Sequence, residues 1–130
     1  RTRGVGHVLS LPPSVKIYAC TEPTDMRRSF NGLSLMAEHV LKQDPYSGHL
    51  FCFFNRRRQH CRILFWDRSG FVMVAKRLEK GRFCVPWDRR APDGLPVWEL
   101  ESAELALILE GIDLRGSRRR PRWKPRRTAG

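Results

Sequence analysis

The sequence predicts an α+β domain: an antiparallel β-meander of about four to five strands with two helices packed on one face. Three observations lead there. One apolar stripe at helical spacing runs from Met26 to Leu41. Short apolar runs separated by tight polar turns fill residues 50–86. A second apolar helical pattern follows Ser102. The folded unit is read as a single domain over residues 11–114. Residues 1–10 read as a loose segment, and residues 115–130 as a disordered basic tail.

Val15 to Cys20 mixes β-branched, aromatic and small residues and reads as the first strand. Thr21-Glu22-Pro23-Thr24 is a turn into a helix, with Thr24 or Asp25 placed to cap its free amides. Met26, Phe30, Leu33, Ala37, Val40 and Leu41 recur at spacings of three and four, so they form the inward stripe of that helix. Gly32 inside the helix points to a close packing contact. Pro45 sets the far limit. Leu50–Phe54, Cys61–Trp66, Phe71–Leu78 and Arg82–Val85 then read as four strands. The turns between them are Asn55–His60, Asp67–Gly70 and Glu79–Gly81. Pro86 to Pro96 holds three prolines and reads as a loop. Ser102 is placed to cap the last helix, whose Leu105, Ile108 and Leu109 face inward and which Gly111 ends.

A chain of 130 residues with 41% hydrophobic residues makes one domain with a real core. Lys and Arg number 25 against 13 Asp and Glu, a net charge of +12. That balance disfavours an acidic or neutral metabolic enzyme and favours a polyanionic partner. The excess is uneven: residues 115–130 contain eight basic and no acidic residues, which leaves 17 basic and 13 acidic, or +4, for the rest. No apolar run approaches the roughly 18 residues that span a bilayer, so no membrane association is expected. The basic N-terminal stretch lacks the apolar centre of a signal peptide, which predicts a cytoplasmic, nucleoid-associated protein.

Four cysteines, Cys20, Cys52, Cys61 and Cys84, form no Cys-x-x-Cys pair and read as buried reduced thiols. His49 and Cys52 have a zinc-like gap, but His60 and Cys61 are adjacent and would diverge on a strand, so no metal site is assigned. Asp25, Asp44, Asp67 and Glu79 are the acidic candidates for two-metal chemistry, and each also fits a cap or a turn. Tyr18 or Tyr46 could serve as a nucleophile only beside a His-x-His metal pair, which the chain lacks. There is no glycine-rich phosphate loop and no recognisable Ser–His–Asp or Cys–His set. The reading therefore assigns no catalytic residue and no cofactor.

The basic residues are the stronger signal. Arg27 and Arg28 open the first helix, and Arg56, Arg57 and Arg58 occupy a hairpin tip. Arg62, Arg68, Lys76, Arg77, Lys80 and Arg82 follow. The tail adds Arg118, Arg119, Arg120, Arg122, Lys124, Arg126 and Arg127. Charge runs are ordinarily solvated surface, but +12 exceeds the magnitude of about 2–8 that solubility calls for. All are candidates for phosphate contact. Most of the interleaved aromatics read as core. Trp66, Trp87 and Trp98 are candidates for a protein-binding surface.

Several segments together resemble the TnpB accessory proteins of insertion sequences of the sixty-six type. They are Leu9–Val15, Thr21–Leu33, Asp44–Phe51, Asn55–Arg58, Ile63–Phe71, Lys76–Phe83 and Leu109–Asp113. The likeness spans about residues 9–115 in an ordered run of motifs. It implies a small bacterial protein encoded beside a larger transposase and needed for efficient transposition. It implies no catalytic site of its own, since cleavage and joining in such elements are attributed to the transposase. The partners it implies are the DNA of the element's ends, the transposase and the other accessory subunit. Relatives often carry Asp where Asn31 stands, which weakens an Asp25-based metal pair. Three roles follow: a non-catalytic DNA-binding accessory protein, an adapter that binds the transposase, and a metal-dependent nuclease using Asp25 and Asp67.

Overall fold

The structure is a computed structural model, and it describes residues 11–111. Segment 1–10 and tail 115–130 lie outside the described residues. The elements run β1 (Ile17–Cys20), α1 (Phe30–His39), β2 (Leu50–Phe54), β3 (His60–Asp67), β4 (Gly70–Arg77), β5 (Val97–Leu100) and α2 (Ser102–Leu109). The strands form one sheet in the order β4-β3-β2-β1-β5. The class is α+β, as expected.

The arrangement departs from the expected antiparallel meander. Pairing is antiparallel from β2 through β3 to β4, where the turns are tight. β1, however, runs parallel to β2, with Ile17 beside Leu50, and antiparallel to β5. Parallel neighbours need a long crossover, and the segment containing α1 supplies it.

The helices also pack on opposite faces, not on one. Leu105, Ile108 and Leu109 of α2 meet Leu50, Cys52 and Phe54. Leu33 and Ala37 of α1 meet Phe51 and Phe53. β2 is thus buried on both sides, which is why its five residues are all apolar instead of alternating.

Arg82–Val85 is not a strand. It crosses the α2 face as an extended segment that inserts Phe83 and Val85 into the core. The additional strand is β5, directly after Pro96 and too short for alternation to show. The caps differ as well. α1 begins at Phe30 after Ser29, with no side-chain cap bond. Asp25 instead accepts the Arg27 N–H at 2.9 Å in the preceding turn. Met26, the head of the expected inward stripe, therefore lies outside the helix, and Phe30, its next member, is 45% exposed. α2 is capped by Glu101 and not Ser102: Glu101 and Glu104 exchange side-chain-to-backbone bonds in a capping box. Gly111, at φ +84°, ends it as expected.

Candidate nucleic-acid interface

Chain direction decides which charges meet. β1 and β2 finish at the same end of the sheet, where the Asn55–Gln59 hairpin turns the chain back into β3. Asn55 closes that hairpin: its Oδ1 accepts the N–H groups of Gln59 at 2.8 Å and His60 at 3.0 Å. Arg56 and Arg57 are left exposed at the tip, and Arg58 takes a left-handed backbone conformation, φ 60°.

Three backbone bonds gather other segments to this end. Thr24 N–H donates to the Phe54 carbonyl at 2.8 Å, which brings the Asp25–Arg28 turn alongside. Leu78 N–H donates to Gln59 at 2.9 Å, and Phe83 N–H to Arg58 at 2.7 Å, which bring the Leu78–Phe83 crossing alongside. Arg27, Arg28, Arg56, Arg57, Arg58, Arg77, Lys80 and Arg82 therefore share one end of the molecule. Two of them are partly neutralised: Arg27 pairs with Asp25 at 2.8 Å and Arg77 with Glu79 at 3.2 Å. Hydrogen bonds from Arg27 hold the Asp25 carboxyl down at about 2. Among the described residues no carboxylate pairs with Arg28, Arg56, Arg57, Arg58, Lys80 or Arg82.

The chain also reaches its last described residue here. The Gly111 carbonyl accepts from Cys84 Sγ at 3.5 Å, and Gly111 packs against the Arg82 backbone. The tail cations, Arg118 to Arg127, lie outside the described residues.

Other candidates fall elsewhere. Lys76 turns onto the α2 face, where its Nζ donates to the Leu109 carbonyl at 3.0 Å and caps the end of α2. Arg62 lies across the sheet, its Nη1 3.4 Å from Met73 Sδ. Arg68 stands at the opposite end, in the β3–β4 turn. Asp67 is in that turn too, a full strand length from Asp25, so the two carboxylates cannot share a metal. His49 accepts the Lys16 N–H at 3.0 Å, while Cys52 and Cys61 point into the α2-side core. Burial drives the Cys61 thiol up to about 12 against the pull of Lys76, and drives the Cys52 thiol up as well. Among the described residues no three His, Cys, Asp or Glu side chains converge.

The tryptophans do not form one surface. Trp66 belongs to an aromatic trio at the end of the sheet away from the hairpin. It lies 5.1 Å from both Tyr46 and Phe71, which are 5.3 Å apart. Tyr46 is 59% exposed. Trp87 and Trp98 pack instead against the α2-side core near the other edge, and the Arg89 guanidinium covers Trp98 at 5.0 Å. Tyr46 had no partner legible in the sequence. The turn that presents it, with Asp44 Oδ1 accepting the Tyr46 N–H at 2.9 Å, was legible only as a proline turn. No helix among the described residues is long and apolar enough to cross a membrane.

Comparison with known proteins agrees with the resemblance. Residues 15–119 match the family model described as IS66 Orf2 like protein. The chain is similar to two proteins of Sinorhizobium fredii (strain NBRC 101917 / NGR234). It is 33% identical to uncharacterized protein y4jC over 115 residues, 88% of this chain and 94% of that protein. It is 33% identical to uncharacterized protein y4hO over 112 residues, 86% and 91% of the respective chains. No solved structure matches. With most of its length matched in this way, the chain belongs to the IS66 Orf2-like family, the TnpB accessory proteins of insertion sequences.

Proposed function

We propose that this insertion-sequence accessory protein works without catalysis, by binding DNA through its basic end. One observation carries the reading: three segments distant in sequence are tied by backbone bonds so that their arginines and lysines gather at one end with few carboxylates. Exposed Arg side chains at that end suit phosphate contact, which positions a protein on DNA without reading bases. The basic tail would extend the contact. Binding through about six phosphates gives a log–log salt slope near −5. The test is binding of the full chain to labelled terminal inverted repeats and to scrambled duplex of equal length, at low and physiological salt. Preference for the repeats would place sequence recognition in this protein. Equal, salt-labile binding would make it a non-specific DNA clamp. No binding at low salt would refute the reading.

A second reading is favoured by the Tyr46–Trp66–Phe71 trio, which leaves aromatic surface exposed away from the basic end. Such rings suit a protein partner, and in this element the partner would be the large transposase. Co-purification of the transposase that survives nuclease but is lost in Trp66→Ala would support an adapter role.

A further inference from the structure

We infer that the basic end takes single-stranded DNA as well as duplex, with the Phe30 ring as a stacking surface for an unpaired base. The inference rests on the DNA-binding reading above. Three large apolar side chains are exposed among the described residues: Phe30, Leu35 and Tyr46. Tyr46 packs on two other rings. Phe30 has no ring partner and belongs to neither half of the core, although it stands only three residues before buried Leu33. An aromatic ring left nearly half exposed at a helix start stabilises the fold less than a buried one, because burial is what makes such a side chain stabilising.

Its position suggests what it meets. Phe30 stands two residues after Arg28, with Ser29 between them, in the segment that the Thr24–Phe54 bond draws beside the Arg56–Arg57 tip. The stem of Arg28 lies along Gly32, with its Cβ 3.1 Å from the place a side chain there would occupy, which keeps this arginine at the first turn of α1. A ring beside cations such as Arg28, Arg56 and Arg57, which pair with no carboxylate among the described residues, is the arrangement by which single strands are held: cations follow the phosphates, and the ring stacks on any base without reading its edge. Duplex DNA offers the same phosphates but no free base face.

The test is titration of the full-length protein with labelled oligo(dT) and with labelled duplex of equal length. Wild type is compared with Phe30→Ala and Phe30→Trp. Loss of one stacked base should weaken oligo(dT) binding by roughly 5- to 150-fold in Phe30→Ala. Duplex binding should hold, and Phe30→Trp should retain oligo(dT) binding. Equal losses on both DNAs, or no loss on oligo(dT), would overturn the stacking role, while wild-type binding to duplex would still support the basic end as a DNA contact. If wild type binds neither DNA at low salt, the DNA-binding reading itself falls.

Discussion

The backbone N–H of Thr24 donates to the carbonyl of Phe54 across 2.8 Å, joining the segment after β1 to the last residue of β2. Thirty positions separate these residues in the chain. The bond exists because β1 and β2 run parallel and finish together. Through it, the arginines that precede α1 come to lie beside those of the Asn55–Gln59 hairpin. The basic end is therefore a product of topology, and its charge can be tuned one residue at a time.

Asp25 is the most direct handle on that charge. It accepts the Arg27 backbone N–H through Oδ1 and neutralises the Arg27 guanidinium with both oxygens. Asp25→Asn keeps the turn acceptor but removes the charge. The expected outcome is tighter DNA binding with a log–log salt slope steeper by about 0.9, one more phosphate. Protonation should act in the same direction. The folded-state carboxyl titrates at about 2, below its unfolded value, so its contribution to stability is present above about pH 4 and fades as pH falls toward 2. Salt titrations of wild type and Asp25→Asn at neutral pH check the first point.

Lys76 separates structural from DNA-contacting cations. Its Nζ satisfies a carbonyl at the end of α2, where a positive charge also suits the helix dipole. Lys76→Met should lower unfolding stability by about 1 kcal/mol. The salt slope of DNA binding should stay unchanged. Denaturant melts beside DNA titrations read both quantities.

Asn55 supports the hairpin tip. Replacing it with Ala strands the N–H groups of Gln59 and His60, so Asn55→Ala should cost about 1–3 kcal/mol. Hydrogen exchange should quicken first at residues 55–60.

Burial of the thiols predicts a loss of stability at alkaline pH. Cys61 titrates at about 12 in the fold and nearer 9 when unfolded, and Cys52 shifts in the same direction. A raised thiol pKa gives stability that is complete below about pH 9 and is lost as pH climbs toward 12. Cys61→Ala should be less stable than wild type at pH 7, through lost packing, and should lose less between pH 9 and 11. Denaturant melts across that range measure the difference.

Much of this was legible in the residues. The unbroken apolar run of Leu50–Phe54 and the turn chemistry of Asp67–Gly70 marked β2 and the β3–β4 hairpin. The family resemblance was legible from ordered motifs. The direction of β1 was not, because parallel and antiparallel neighbours share local composition and only the crossover distinguishes them. The same run of five apolar residues in β2 held a clue that both faces are covered, which places the two helices on opposite sides. Phe30 fits the helical stripe by spacing, but α1 starts with it and leaves it half exposed. Arg27 and Arg56 look unrelated in sequence, and Lys76 looks equivalent to both. Only tertiary pairing gathers the first two at one end and turns the third onto α2.

The most direct test of the basic end is the salt dependence of duplex binding by the full chain, wild type against Arg56→Ala/Arg57→Ala. Both side chains are exposed, so the variant should melt like wild type. If the hairpin tip contacts DNA, affinity falls and the log–log slope becomes shallower by about 1.8, two phosphates' worth. An unchanged slope and affinity would show that the folded body makes no such contact, and would contradict the account.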